Sequence, residues 1–83
     1  MKEVRYSRAA AKVLTRRTAK LRKRIMTKIA QYAADPASQA ANVTALKGRT
    51  GKRLRIGDWR VIFDETETTI EVLKIGPRGS VYE

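Results

Sequence analysis

The chain has 83 residues, enough for one domain with a modest core, and it contains no cysteine and no histidine. Their absence excludes a disulfide scaffold, the common zinc-ligand sets and any mechanism that uses histidine as acid or base. With 19 lysines and arginines against 8 acidic residues, the formal net charge of +11 favours a polyanionic partner, either nucleic acid or a strongly acidic protein.

The first half of the chain predicts a short strand followed by two basic helices. Residues 2–6 alternate polar and apolar side chains, as an edge strand does. Ser7 and Thr18 are suited to cap the two helices, and Asp35-Pro36 ends the second, because a residue before proline leaves the α region. The second helix carries an apolar stripe of Leu21, Ile25, Met26, Ile29, Ala30, Tyr32 and Ala33. Its opposite face carries the basic residues Lys20, Arg22, Lys23, Arg24 and Lys28.

The segment GKRLRIGDWRVIF, residues 51–63, predicts a β-hairpin. Gly57-Asp58 is a dipeptide typical of a two-residue turn, and such a turn sets Arg55 directly opposite Arg60. Side-chain alternation then gives an apolar face, assigned to the core, of Leu54, Ile56, Trp59, Val61 and Phe63. The other face, which we call the arginine face, carries Arg53, Arg55 and Arg60. Because like charges that face each other destabilise a sheet, the arginine face indicates an anionic ligand.

The last strand completes an α+β architecture. It is predicted over residues 68–76, where the adjacent Val72 and Leu73 indicate burial on both faces and an interior position. Residues 37–52 are interpreted as a connection. Two helices ahead of a three-stranded antiparallel meander predict a two-layer domain in which the helices leave the arginine face open. No apolar run approaches 18 residues and no signal-peptide pattern opens the chain, so we expect a soluble, cytoplasmic protein without membrane contact.

Three segments of the second half resemble the RelE/ParE superfamily, the toxins of bacterial type II toxin–antitoxin systems. They are LKG (residues 46–48), RLRIGDWRVIFD (53–64) and VLKIGPRGSVY (72–82), in the order and spacing of that superfamily. The preceding strand and basic helical hairpin match its layout as well. The resemblance implies a single toxin domain over residues 1–83 with the RelE-like fold. It also implies a heteromeric complex with a cognate acidic antitoxin that wraps around the toxin.

The resemblance implies different activities for its two branches. RelE-like members are ribosome-dependent endoribonucleases that cut mRNA, while ParE-like members share the fold but inhibit DNA gyrase without catalysis. The RelE-like activity depends on positions that match Arg53 or Arg55, Arg60, Arg78 and Tyr82 here, and we assign all five residues to the candidate catalytic set. This set favours an endoribonuclease that needs no metal or cofactor and halts translation, with gyrase inhibition as the alternative. The residues expected to bind mRNA and ribosomal RNA are Lys20, Arg22, Lys23, Arg24, Lys28, Lys52 and Lys74.

The arginines account for charge stabilisation but not for proton transfer. RNA cleavage by internal transfer needs the 2′-hydroxyl deprotonated, the departing 5′-oxygen protonated and the phosphorane stabilised. Arginine suits the last task because its planar fork binds phosphate oxygens and stays charged. The protons are left to Tyr82, Lys52 or Lys74, since Pro77 stands where many relatives have a histidine. The general acid and base therefore stay open.

Overall fold

The computed structural model describes residues 1–79, which contain two α-helices and one five-stranded sheet. In chain order the elements are β1 (Glu3–Tyr6), α1 (Arg8–Thr15), α2 (Ala19–Ala34), a 3₁₀ helix (Pro36–Asn42), β2 (Val43–Ala45), β3 (Lys52–Ile56), β4 (Trp59–Glu65) and β5 (Thr69–Pro77). The strands lie in the order β1-β5-β4-β3-β2. The predicted α+β fold class, with its helices before the hairpin, is confirmed.

The helix boundaries follow the predicted caps. The Ser7 hydroxyl accepts a hydrogen bond from the Ala10 amide at 3.0 Å, and the Thr18 hydroxyl accepts one from the Leu21 amide at 3.2 Å. Each cap satisfies an amide that the first helical turn leaves without a partner. Such a cap contributes about 1 kcal/mol to the stability of the folded protein. α2 ends at Ala34, directly before the Asp-Pro pair that predicted its end.

Two features of the sheet differ from the prediction. Residues 37–52 are not a plain connection, because they contain the 3₁₀ helix and β2, which pairs with residues 52–54 of β3. A three-residue strand is too short for side-chain alternation to reveal it. The sheet is also mixed rather than antiparallel. Its edge strand β1 pairs in parallel with β5, because the two helices carry the chain back before the meander begins.

β5 is an interior strand, as predicted, but its adjacent Val72 and Leu73 have another cause. The register with β4 shifts at this point: Phe63 lies opposite Val72, whereas Ile62 lies opposite Lys74. Leu73 is therefore the extra residue of a β-bulge, and alternation resumes on either side of it. Val72 is fully buried and Leu73 is only half-buried, so the pair does not indicate burial on both faces.

Both helices and the predicted apolar strand face form one hydrophobic core. The largest fully buried side chains include Ile25 and Ile29 of α2 and Phe63 of β4. The Tyr32 ring meets the Phe63 ring edge to face, with centroids 5.3 Å apart. The helices thus cover one side of the sheet, and the arginines of the hairpin point away from it.

Four residues predicted for the core lie at its margin: Leu21, Met26, Ala30 and Trp59. Met26 is 41% exposed and Ala30 is exposed, because this flank of α2 faces solvent beside the edge strand β1. Trp59 is half-buried and packs against the core. The guanidinium carbon of Arg17 lies 5.0 Å from the centroid of the Trp59 ring, within the range of a cation–π contact.

A polar cluster stands at the end of β4 that is farthest from the hairpin turn. The Glu65 carboxylate accepts hydrogen bonds from the Lys2 ammonium at 2.6 Å, the Lys52 ammonium at 2.8 Å and the Tyr32 hydroxyl at 2.6 Å. Burial raises the pKa of the Glu65 carboxyl, but the three donors outweigh burial and lower this pKa from 4.5 to about 2. The cluster joins the segment before β1, α2 and β3 to the end of β4.

We expect Glu65→Gln to destabilise the protein at neutral pH and to have little effect at low pH. The folded pKa lies below the unfolded value, so the carboxylate stabilises the fold above pH 4.5 and loses this effect as the pH falls towards 2. At about 1.4 kcal/mol per pKa unit, its contribution is on the order of 3 kcal/mol. Urea unfolding at neutral and acidic pH measures the difference.

The matched control is Glu67→Gln, which removes an exposed carboxylate from the turn between β4 and β5. It should leave the free energy of unfolding nearly unchanged at both pH values. An equal loss for Glu65→Gln at neutral and acidic pH would contradict the assigned role of its carboxylate.

Candidate functional site

The turn between β3 and β4 has the predicted geometry and register. Gly57 has φ +59°, in the left-handed region that glycine adopts without strain. Arg55 lies opposite Arg60, and Ile56 lies opposite Trp59. Two arginines therefore stand side by side across the strands, next to the turn.

A polar cleft of about 370 Å³, which we call the turn cleft, opens beside this turn. Its five cationic residues come from α2, the hairpin and the segment after β5: Arg24, Lys28, Arg55, Arg60 and Arg78. Its other lining residues are Asn42, Ile56, Gly57 and Asp58. None of the five cations forms an ion pair with a carboxylate of residues 1–79. Such a concentration of positive charge in a concave space attracts a polyanion.

Uncharged partners position the two hairpin arginines. Arg55 Nη2 donates to the side-chain oxygen of Asn42 at 3.1 Å, which draws the guanidinium towards the end of the 3₁₀ helix. Arg60 Nη1 donates to the carbonyl oxygens of Gly57 and Trp59, at 2.9 Å each. Because these partners are uncharged, they do not offset the positive charge of either guanidinium group, and this charge can attract an anionic ligand.

Two further elements bring cations to the turn. The Arg78 amide donates to the carbonyl oxygen of Asp58 at 2.7 Å, which ties the chain after β5 to the turn. Arg24 of α2 lies against Gly57, where a Cβ atom would stand 2.7 Å from Arg24 Nη2. Gly57 therefore permits the turn and also leaves room for a guanidinium from the helix.

A second cleft, of about 230 Å³, adjoins the first on the arginine face, and we call it the strand cleft. Its lining residues are Ala41, Asn42, Thr44, Arg53, Arg55 and Arg60. Three of them, Asn42, Arg55 and Arg60, also line the turn cleft. The structure thus brings Arg53, Arg55 and Arg60 together in the strand cleft, as alternation predicted. Arg78 lies with Arg55 and Arg60 in the turn cleft.

The basic residues of α2 divide into separate groups. Arg24 and Lys28 reach the turn cleft, so the basic helix face and the arginine face meet there. Arg22 turns towards α1, where its Nη1 donates to two backbone carbonyl oxygens at the helix end, at 3.3 and 3.1 Å. Lys20 and Lys23 are exposed. Of the five predicted basic residues of α2, only Arg24 and Lys28 therefore line the turn cleft, among the described residues.

The other predicted residues lie away from the turn cleft or outside the described residues. Lys52 is on the core side of the sheet, where its hydrogen bond to Glu65 raises the pKa of its ammonium group. Lys74 is exposed on β5. Tyr82 lies outside the described residues. Neither lysine considered for proton transfer lines the turn cleft, whereas Lys28 does.

Sequence reasoning missed two residues of the site. Asn42 orients Arg55, but it comes from a segment interpreted as a connection, and no motif marks it. Asp58 was assigned to the turn alone, although its carbonyl oxygen holds the Arg78 amide. Both contacts join segments that are far apart in the chain, which side-chain alternation cannot reveal.

A mostly apolar groove of about 570 Å³, which we call the helix groove, lies where α2 meets β1. Its lining residues are Val4, Tyr6, Ala19, Arg22, Lys23, Met26, Thr27 and Ala30. Met26 exposes 41% of its surface there, and burial raises the pKa of the Tyr6 hydroxyl. An apolar floor bordered by Arg22 and Lys23 suits a partner that carries both apolar and acidic side chains.

Two further properties concern membranes and metals. No helix in the described part of the chain is long and apolar enough to span a membrane. Across residues 1–79, no three carboxylates come close enough to hold a metal ion.

The same fold occurs in solved toxin structures. The archaeal RelE–RelB complex from Pyrococcus horikoshii gives a TM-score of 0.76 at 24% identity, covering 96% of this chain and 98% of that chain. A mutant of E. coli RelE in the free state gives 0.72 at 16% identity, covering 96% and 86%. The E. coli RelBE toxin–antitoxin complex gives 0.70 at 17% identity, covering 93% and 96%. At these identities the likeness shows the fold alone.

The sequence itself matches a family profile. No curated protein sequence matches the chain. The profile described as "ParE toxin of type II toxin-antitoxin system, parDE" matches residues 4–82, nearly the whole chain. The match begins within the first strand and includes the helical hairpin and the arginine-bearing strands. The chain therefore belongs to the ParE toxin family of type II toxin–antitoxin systems, within the RelE/ParE superfamily that its three sequence segments indicate.

Proposed function

We propose that this toxin is a ribosome-dependent, metal-independent endoribonuclease that cleaves mRNA in the turn cleft and halts translation. The observation that carries the proposal is the convergence of five cations on one concave space, with no ion pair to a carboxylate of residues 1–79. The cations of such a cluster repel one another, so a cluster of this kind is expected where an anion binds. A phosphodiester is such an anion, and its oxygens match the fork of arginine.

Cleavage proceeds by internal transfer in this proposal. The 2′-oxygen attacks the adjacent phosphorus and the bond from phosphorus to the 5′-oxygen breaks. The products carry a 2′,3′-cyclic phosphate and a 5′-hydroxyl. The phosphorane formed on the way carries extra negative charge, which Arg55, Arg60 and Arg78 stabilise from fixed positions. In comparable sites, one such contact is worth a factor of about 10²–10³ in rate.

Two protons must also move, and arginine holds its proton too tightly for this task. We assign one of the two transfers to Tyr82, through its match to the family position. Lys28 is the candidate for the other transfer, because it lines the turn cleft. Lys52, whose ammonium is bound by Glu65, is assigned no transfer. The ribosome holds the mRNA in place, and such orientation offsets weak acid–base groups.

Exposed basic residues outside the two clefts are proposed to contact ribosomal RNA. Lys20 and Lys23 on α2 and Lys74 on β5 are exposed and form no ion pair within residues 1–79. Lysines in this position attract phosphate backbones without selecting a sequence. A ribosomal target also places the toxin in the cytoplasm.

We expect Arg60→Ala to lower mRNA cleavage by about two orders of magnitude, because the phosphorane loses one fixed cation. Primer extension on mRNA translated in a reconstituted system measures the cuts. Arg60→Lys keeps the charge without the fork, so its rate should lie in between. The control is Arg5→Ala, which removes an exposed arginine from the edge strand β1. Cuts that persist unchanged when Arg60→Ala is combined with Tyr82→Phe would contradict the proposal.

A second candidate function is inhibition of DNA gyrase without catalysis. Two observations favour it. The matching family is described by the name ParE, and the turn cleft holds four arginines but only one lysine that could exchange a proton. In this role the cleft would bind an anionic partner without acting on it.

A supercoiling assay with purified gyrase separates the two candidates. Under the endoribonuclease proposal we expect no inhibition by the purified toxin, even in large excess over gyrase, because the cleft then acts only on ribosome-bound mRNA. Inhibition that is lost in Arg60→Ala but kept in Arg5→Ala would instead assign the turn cleft to gyrase.

We further propose that a cognate acidic antitoxin neutralises the toxin and docks an apolar, acidic segment into the helix groove. The solved structures with this fold include complexes of RelE with RelB from several organisms. The helix groove offers exposed Met26 between basic neighbours, and the net charge of +11 attracts an acidic partner. Bound there, a longer antitoxin can continue over the arginine face.

We expect Met26→Glu to weaken antitoxin binding without loss of toxicity, because it sets a carboxylate against an acidic partner in an apolar groove. The control Ala37→Glu adds the same charge at an exposed position of the 3₁₀ helix. Growth arrest on expression, and its relief by the product of the neighbouring gene, measure toxicity and binding together. Full relief of Met26→Glu by that product would exclude the helix groove as the docking site.

A further inference from the structure

We infer that the turn cleft and the strand cleft are adjoining subsites for two consecutive phosphates of one single-stranded polynucleotide, and that Arg24 belongs to the first subsite. The inference rests on the proposed function for its ligand class, a phosphodiester strand. It adds how many phosphates the site holds, which residues bind each one, and why residue 57 is glycine.

The shared wall of the two clefts is the first argument. Arg55 and Arg60 line both clefts, and the bond to Asn42 holds Arg55 between them. Each cleft also has cations of its own: Arg53 in the strand cleft, and Arg24, Lys28 and Arg78 in the turn cleft. A single phosphate can occupy only one of these spaces. Two linked phosphates can occupy both and share the central arginines.

The size and form of the clefts favour a single strand over a duplex. At about 370 and 230 Å³, both are small open clefts. The turn cleft is bordered mainly by α2 and the hairpin turn, and the strand cleft by β2, β3, β4 and the end of the 3₁₀ helix. A duplex holds its phosphates on a stiff convex surface. A single strand can bend so that successive phosphates enter neighbouring basic clefts, as strands do in other electropositive grooves.

The close approach of Arg24 to Gly57 is the second argument. The backbone at this position has φ +59°, which asparagine also tolerates, so the turn alone does not require glycine. Any Cβ atom here would stand 2.7 Å from Arg24 Nη2 and 3.3 Å from its guanidinium carbon. The missing side chain therefore leaves room for the Arg24 guanidinium in its observed position, from which a Cβ atom would displace this flexible group. Arg24 acts there as a phosphate-binding residue beside Arg60.

The test is the salt dependence of binding to a fluorescent single-stranded 2′-O-methyl RNA hexamer, which cannot undergo internal transfer. The logarithm of the binding constant falls linearly with the logarithm of the salt concentration. For single strands, each lost phosphate contact reduces the magnitude of this slope by about 0.7. We expect that decrease, with about tenfold weaker binding, for Arg24→Ala and separately for Arg53→Ala. In the double variant Arg24→Ala/Arg53→Ala, the magnitude of the slope should decrease by about twice as much, because the two subsites hold different phosphates. Arg5→Ala is the matched control and should bind as the unmodified protein does.

Two glycine variants test the position of Arg24. Gly57→Asn and Gly48→Asn both place asparagine at positive φ, +59° and +73°, but a Cβ atom at Gly48 meets nothing within 4 Å. We expect Gly57→Asn to produce part of the loss seen in Arg24→Ala, because it displaces the Arg24 guanidinium without removing it, and to add no further loss when the two are combined. Gly48→Asn should bind normally. Thermal unfolding of both variants verifies that each one folds.

Several outcomes would overturn the inference. Unchanged salt slopes in Arg24→Ala or Arg53→Ala would remove the corresponding subsite, and normal binding by Gly57→Asn would remove the role of the glycine. A duplex DNA probe bound as tightly as the single strand, with the same losses, would overturn the single-strand assignment. The probe needs neither ribosome nor chemistry, so a lack of mRNA cleavage together with the expected slopes would refute the proposed enzyme and support the two subsites.

Discussion

The two-residue turn between β3 and β4 is the constraint on which the site depends. It sets Arg55 opposite Arg60, and because side chains alternate with a period of two, a slip of one residue would turn one of them towards the core. The same turn anchors two distant segments. Its carbonyl oxygen at Asp58 holds the Arg78 amide, and its glycine admits Arg24 from the helix. Four cations from three parts of the chain thus take their positions from two residues.

The molecule separates its repulsive charges from its stabilising ones along β4. At the turn, Arg55 and Arg60 face each other at a cost of roughly 0.2–1 kcal/mol, as for like charges opposite each other on a sheet. At the other end, Glu65 binds two lysines and a tyrosine, and the depressed pKa of its carboxyl corresponds to a contribution on the order of 3 kcal/mol. The second effect exceeds the first, so a small domain can hold an arginine pair at the turn that no carboxylate of residues 1–79 neutralises.

Much of this arrangement could be predicted from local rules. The turn dipeptide and side-chain alternation were sufficient for the register of the hairpin and for the arginine face. Lys52 was predicted to bind RNA, although it shares the alternation of Leu54 and lies on the core side of the sheet with Glu65 as its partner. What the sequence did not reveal depends on contacts between distant segments: the parallel pairing of β1, the short β2, and the approach of Asn42 and Arg24 to the clefts. Alternation gives the side of a sheet that a strand residue faces. It does not show which side chains from other segments, such as Asn42 and Arg24, approach that residue.

The composition of the turn cleft bears on the difference between the two branches of the superfamily. Four arginines and Lys28, the residues proposed to bind a phosphodiester, line this cleft, yet arginine scarcely exchanges protons. In the proposed enzyme, chemistry therefore depends on orientation of the mRNA by the ribosome, since positioning alone can supply effective molarities of about 10⁵ M or more. Free RNA would be bound but cut slowly. A gyrase inhibitor needs an anion-binding surface without any proton transfer, so one fold can serve both roles, and the proposed enzyme differs from a binding module in needing groups for two proton transfers.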